Sequence, residues 1–430
     1  MSTFRIPLDP PVPGALAEEL ARRVYFVSST ITDFTLVRTP TATAPGAGSG
    51  EGGSGSGSGS GEGGSGAAAG PYGPVTAVDV TATPLGEEPV DVAGLTRKLR
   101  HVVTHDVLAQ RPVEPKVVWR GSVAEPPRDV FEELVARGAA AELGEGQIAV
   151  GEPVLSLMDH LDAELRSLVM DEFDAREFRY PTLITSAALR RTGYFDSFPH
   201  MLMFVTRLHG DVDSYRGFLD SLADGGDLAE GLRAHTGGFD HSLPPTMCFH
   251  TYHQYADGPL PAPSTVVTAR GKSFRHESRY RRSLERLWDF TIREIVFMGT
   301  PEFVLGARAR VMERSYALME SLGLGGRCEV AGDPFFLNEA TASRAWSQRL
   351  LQLKYELRLP LDGERDVAVA SFNYHERLFG SSFGIRDEAG DPVYSGCVGF
   401  GLERLAYTFL CRHGVDPAGW PEAVRKAVSP

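Results

Sequence analysis

This chain has no long hydrophobic run, few cysteines and no excess of positive charge. No apolar stretch approaches the roughly 20 residues that a membrane-spanning helix needs. The opening MSTFRIPLDPPVPG lacks the charged-then-apolar pattern of a secretory signal, so the expected location is the cytosol and no membrane contact is expected. Only 4 cysteines occur in 430 residues, without regular spacing. That excludes a disulfide framework and leaves them as core thiols, ligands or nucleophiles. With 43 Lys and Arg against 56 Asp and Glu, the net charge of −13 argues against a broad nucleic-acid surface, which needs clustered cations. A hydrophobic share of 42% is ordinary for a globular chain, and the length allows two or three domains.

Gly and Ser, by contrast, dominate residues 43–74, around the core GSGEGGSGSGSGSGEGGSG. This composition cannot bury a core and is expected to form a disordered loop. It interrupts a small N-terminal module, residues 1–121, expected as α-β-β-α-β. Its helices are predicted at 13–23 and 92–109, and its strands at 24–37, 75–83 and 116–120. Residues 122–430 are expected to form the second domain. Helices are predicted at 126–137 and 153–172, and a buried strand at 180–185. Thr300 and Pro301 open another helix as N-cap and first residue, and Gly323 closes it. Strands follow at 355–361 and 367–373.

Two segments carry chemistry. The first is Gly396-Cys397-Val398-Gly399-Phe400-Gly401-Leu402-Glu403-Arg404. It places a thiol two residues before a Gly-x-Gly-x-x-Arg run, expected as a turn where backbone and arginine meet a polyanion. The second joins SFRHE (273–277) to FTIREIVFM (290–298). Residues two apart in a strand share a face, so Phe290, Ile292, Glu294, Val296 and Met298 point one way. A carboxylate on such a face is costly unless paired or metal-bound. Within the second, between residues 277 and 290, lies a loop carrying Arg279, Arg281, Arg282 and Arg286. Arginine forks suit phosphate, and a Phe face suits a nucleobase.

Arg275-x-Glu277, the basic loop and Phe290 resemble motif 2 of class II aminoacyl-tRNA synthetases. The run 399–404 resembles motif 3, and YPTLI (180–184) lies where motif 1 falls. A narrower resemblance covers roughly residues 130–430. TGYFDSFPHMLMFV (192–205), PTMCFHTY (245–252), IREIVFMG, AGDPFF (331–336), LKYELRLPL (353–361), SFNYHERLFGSSFGI (371–385) and SGCVGFGLERLA are similar to the amino acid:[carrier protein] ligases. These are homologues of the catalytic domain of an atypical zinc-dependent seryl-tRNA synthetase. The implied fold is α+β: an antiparallel sheet flanked by helices, beside the small N-terminal module.

The resemblance implies a Zn²⁺ ion held by Cys248, Glu294 and Cys397, with an open fourth position for the substrate amine. Cys248 is expected on a nearby strand. Cys328 and Cys411 are expected as structural thiols, and His250, His253 and His375 as non-ligands. For ATP, the resemblance implies Arg275 on the α-phosphate and Arg404 on the γ-phosphate. Phe290 is implied under the adenine, and Glu277 at its amino edge or on the loop. Mg²⁺ is implied with the phosphates, with Glu356 as its candidate ligand, and Asn373 lies on the substrate-pocket strand. The implied function is activation of a small amino acid (glycine, alanine or serine) and its transfer to the phosphopantetheine thiol of a carrier protein, by a homodimer whose interface includes residues 180–205. A tRNA synthetase and a silent regulatory paralogue are the alternatives. The acidic balance and the lack of a basic arm speak against tRNA as acceptor. The presence of both ATP arginines and all three presumed ligands speaks against a silent paralogue.

Overall fold

Pro7, Pro10 and Pro11 conceal a strand at the start of the chain. The computed structural model, which describes residues 1–39, 73–84, 89–109, 116–122, 125–277, 283–333, 348 and 350–428, shows β1 (Ser2–Val12) there. It is followed by α1 (Ala17–Val27), β2 (Ile31–Arg38), β3 (Val75–Ala82) and α2 (Val92–His101). The three strands lie in the order β1-β3-β2. An edge strand tolerates proline, and pairing with β3 is interrupted between Pro7 and Val12. The core of this unit holds Ile6, Leu20, Val24, Val78, Val80 and Leu99. The module is therefore β-α-β-β-α rather than α-β-β-α-β. Val24, predicted to start a strand, belongs to α1, because Leu20, Val24 and Val27 share the helix face turned to the core. The Gly/Ser-rich stretch lies almost entirely outside the described residues. The strands on either side of it, β2 and β3, pair antiparallel.

The chain divides into units Met1–Pro112 and Val113–Pro430. The boundary falls before the predicted 121 because β4 (Val117–Arg120) is hydrogen-bonded into the large sheet of the second unit. That unit continues with α3 (Phe131–Ala136), β5 (Ala140–Gly144), β6 (Gln147–Val150), α4 (Val154–Glu172), β7 (Arg176–Phe178), β8 (Ile184–Thr185), α5 (Ser186–Arg191) and α6 (Tyr194–Ser197). Next come β9 (Phe204–Leu208), α7 (Val212–Leu222), α8 (Leu228–His235), β10 (Thr236–Ser242), α9 (Cys248–Gln254), β11 (Thr265–Phe274) and β12 (Asp289–Gly299). The chain ends with α10 (Pro301–Ser321), β13 (Arg327–Val330), β14 (Lys354–Pro360), β15 (Asp366–Glu376), α11 (Leu378–Phe383), β16 (Tyr394–Gly401), α12 (Leu402–His413) and α13 (Glu422–Val428). The helix predicted at 126–137 is shorter, because its two prolines precede the helix instead of opening it. The strand predicted at 180–185 shrinks to Ile184–Thr185, and Pro181, Thr182 and Leu183 are exposed.

Eight strands form one sheet in the order β4-β13-β14-β15-β16-β12-β11-β7. All neighbours are antiparallel except β7 and β11. Alternation along β12 divides its two faces. Ile295 and Phe297 join the large core with α4, α10 and α12, while Val296 and Met298 join a smaller core with α5, α9 and α11. Arg293, 2% exposed, is on the large-core side. It donates twice to Asp162 of α4, at 2.7 Å each, and once to Glu177 of β7, at 2.9 Å. A buried guanidinium is tolerated because both partners hold its donors. Glu294 therefore faces the opposite side, away from Arg293.

Candidate active site

Glu294, Cys397 and Asn373 come together because the sheet register puts them there. Glu294 lies opposite Gly399, and Cys397 lies between Val296 and Asn373. Cys248 reaches the same point from above as the first residue of α9. This segment was predicted as a strand. It is a helix, and because Cys248, Phe249, His250, Thr251 and Tyr252 are all buried, no one-sided apolar pattern marks it as one. The ligand atoms of Cys248, Glu294 and Cys397 all lie within 4.8 Å of one another. Thr246 donates its hydroxyl to Glu294 Oε2 at 2.9 Å.

This cluster is electrostatically costly without a cation. Burial pushes the Glu294 carboxyl up to about 7, against hydrogen bonds from Cys397 and Thr246. The adjoining Cys248 thiol, and then burial, push the Cys397 thiol well above its ordinary range. A divalent cation would replace the protons that these groups otherwise keep. Two thiolates and one carboxylate match the donor chemistry and the three-ligand count of an open zinc site. Cys328 and Cys411 lie in the large core, away from this set.

The glycines of the 396–404 run serve this arrangement. The segment is not a turn: β16 runs straight into α12. A Cβ on Gly399 would sit 2.8 Å from Ile292 Cδ1 and 3.3 Å from Glu294 Oε2, so glycine leaves room for the carboxylate. A Cβ on Gly396 would sit 2.7 Å from the Asn373 carbonyl oxygen.

The end of β11, the start of β12 and the end of β16 share one edge of the site, where the arginines gather. Arg404, in the first turn of α12, donates Nε to the Glu285 carbonyl at 2.5 Å and Nη1 to the Ala368 carbonyl at 3.0 Å. Burial pushes its guanidinium down to about 10, with Arg286 and Arg275 pressing the same way and Glu277 opposing them. Arg275 donates Nε to the Pro245 carbonyl at 3.0 Å, and its guanidinium lies 5.4 Å from the Phe290 ring centre. Glu277 accepts from Arg286 Nη1 at 2.8 Å. Burial would raise Glu277, but Arg286 and Arg275 outweigh it and hold the carboxylate below its usual range. Crowded cations at a helix N-terminus make an anion site. Arg279, Arg281 and Arg282 lie outside the described residues, as do residues 334–336 of the AGDPFF segment.

Glu356 faces the same side, in the row Glu356, Ser371, Gly399, Glu294. It is engaged by Lys354 at 3.0 Å and Arg358 at 3.1 Å. Asn373 Nδ2 lies 3.2 Å from Ser371 Oγ and 3.6 Å from Cys397 Sγ. Two residues at or beside the site, Thr246 and Glu403, have no role in the sequence reading, and a third, His375, enters it only as a non-ligand. Thr246 carries no local signal beyond its place two residues before Cys248. His375 follows Asn373 at strand spacing, and that period was the available clue. Glu403 accepts from the Thr291 amide and hydroxyl at 2.8 Å each, which pins α12 to β12. Of the other histidines, His250 is buried with Nε2 3.3 Å from the Leu183 carbonyl oxygen.

No protein-family model matches the chain. It is similar to amino acid–[acyl-carrier-protein] ligase 1 of Bradyrhizobium diazoefficiens, at 36% identity over 274 residues, covering 63% of this chain and 82% of that protein. Ligase 2 of the same organism is 36% identical over 306 residues, covering 70% of this chain and 88% of that protein. A type-2 serine–tRNA ligase of Methanococcus maripaludis is 29% identical over 293 residues, covering 66% of this chain and 57% of that protein. Among solved structures, M. kandleri SerRS in complex with A. aeolicus tRNASec superposes with a TM-score of 0.65 at 24% identity, over 82% of this chain and 71% of that one. That last likeness concerns the fold, a class II synthetase-like α+β architecture.

Proposed function

Since this chain belongs to the amino acid–[acyl-carrier-protein] ligases, we propose that it uses ATP to convert a small amino acid to its adenylate and passes the aminoacyl group to a phosphopantetheine thiol on a carrier protein. The observation that carries this reading is the adjacency of a buried Cys248, Glu294 and Cys397 donor set to the Arg275, Arg286 and Arg404 cluster. One part suits an amine-binding metal and the other a polyphosphate, and the reacting carboxylate belongs between them. Glycine, alanine and serine are the proposed substrates.

A Zn²⁺ ion bound there would supply a Lewis-acid position for the neutral amine of the amino acid. Cys248, Glu294 and Cys397 would hold that ion, and Asn373 lines the pocket beside it. Arg275 moves from the Phe290 ring onto the α-phosphate, which frees the ring for adenine. Arg404 holds the γ-phosphate, and Glu277 keeps Arg286 in place on the loop. A carboxylate oxygen of the amino acid attacks the α-phosphorus. The bond from that phosphorus to the bridging oxygen breaks, and pyrophosphate leaves with the electron pair. The carrier thiolate, its proton lost to solvent, then attacks the acyl carbon, and AMP departs as the C–O bond breaks. Positioning and charge stabilisation supply the acceleration, with no covalent step on the protein. Mg²⁺ entering with ATP would supply neutralisation of the phosphate charge. Glu356, engaged by Lys354 and Arg358, is its candidate protein ligand.

Supplying radiolabelled amino acid and ATP with either a phosphopantetheinylated carrier protein or tRNA tests the acceptor. Label on the carrier as a hydroxylamine-sensitive thioester supports the reading. Label on tRNA alone overturns it in favour of a tRNA ligase. A homodimer through residues 180–205 is proposed on the resemblance, and a monomer mass by light scattering would remove it.

A further inference from the structure

His375 stands beside the donor set, and neither the activation nor the transfer step uses it. It follows Ser371 and Asn373 along the site-facing row of β15, and its Nε2 lies 3.3 Å from the Cys397 sulfur. Its ring meets the Tyr252 ring near edge-on at 6.3 Å and the Phe379 ring at 4.7 Å, so its orientation is fixed by packing. The pairing of β15 with β16 slips between Tyr374 and Glu376, and Glu376 has φ 52. Such a bulge re-aims the side chains beside it. His375 is also outside the set of ligand atoms that lie within 4.8 Å of one another. It is a neighbour of one ligand, not a member of the set.

A metal-bound thiolate is an acceptor, and a neutral imidazole carries one N–H donor. Asn373 Nδ2, at 3.6 Å, is a weaker candidate for the same sulfur. We propose that His375 is a positioning residue whose Nε2–H donates to Cys397 Sγ, orienting the thiolate and drawing charge from it, and so sets how Cys397 holds the divalent cation. This rests on the metal reading above. The partner of a ligand fixes ligand geometry and basicity, which is why its loss is felt at the metal.

The test uses the full chain loaded with Co²⁺ or Zn²⁺, as wild type and as His375→Phe and His375→Gln. Phe keeps the aromatic packing on Tyr252 and Phe379 but removes the donor; Gln keeps an N–H donor. The readouts are the thiolate-to-cobalt charge-transfer band, Zn²⁺ affinity against a chelator, and the melting temperature of the metal-free forms. The Phe variant is expected to move the band to longer wavelength and to weaken Zn²⁺ binding by about 10–100-fold, with Gln closer to wild type and melting unchanged. A folded Phe variant with an unmoved band and an affinity within about twofold of wild type overturns the proposal. If the Phe variant does not fold, His375→Gln is compared with His375→Ala, and equal loss in both overturns it. A wild type that binds neither ion overturns the metal reading, and this inference with it.

Discussion

Glu294 is buried among thiols on an apolar strand face, with its carboxyl pushed up to about 7. A cation is the simplest compensation for that cost. Cys397→Ala is therefore expected to drop bound zinc from about one ion per chain to background, as read by elemental analysis of the purified protein. Gly399→Ala is a subtler probe. Its Cβ would crowd Ile292 and the Glu294 carboxylate, and zinc affinity is expected to fall by about 10-fold with the fold intact, as measured by chelator competition. Glu294 was legible in the sequence because a lone carboxylate breaks an apolar alternation. Cys397 was legible through the motif around it. Thr246 was not, and His375 was read only as a non-ligand, because their contacts with Glu294 and Cys397 are made in space and a single sequence shows residues but not the atoms they face.

At the scale of elements, the site depends on strand ends and on one helix start. Arg404 is placed by α12, and α12 is anchored to β12 through Glu403 and Thr291. Arg404→Ala is expected to lower amino-acid-dependent pyrophosphate exchange by roughly 100-fold or more while zinc content stays at wild-type level. A second prediction concerns the β13–β14–β15 edge, where Asp366 accepts from Arg327 at 2.6 Å and Arg358 at 2.7 Å. Burial would raise its carboxyl, but the two arginines outweigh burial and hold it below the usual range. The unfolded chain titrates near 4, so this network stabilises the fold above about pH 4, and the contribution disappears as pH falls through the lower folded value. Asp366→Asn is expected to flatten the acid limb of a urea-stability profile, and an unchanged limb would contradict the assignment. Strands with period-2 patterns and capped helices such as α10 were legible. The edge strand β1, with its prolines, and α9, whose first five residues are all buried, were not, because neither shows the one-sided pattern that periodicity detects.

At the scale of the whole molecule, the proposed chemistry lies entirely within Val113–Pro430, and the relatives match 63–70% of the chain. A chain lacking residues 1–112 is expected to keep pyrophosphate exchange within about threefold, since the unit that bears the site has its own core. Among the described residues no helix is long and apolar enough to cross a membrane. The acceptor was the least legible part of the function, because transfer depends on a partner surface that residue types alone do not specify. The central claim is amino-acid activation at a metal-and-arginine site. ATP–pyrophosphate exchange scanned over the standard amino acids, with zinc-loaded wild type beside Cys397→Ala, tests it most directly. The account predicts exchange with one or a few small amino acids, abolished in the variant. No exchange with any amino acid, or equal exchange in the zinc-free variant, would contradict it.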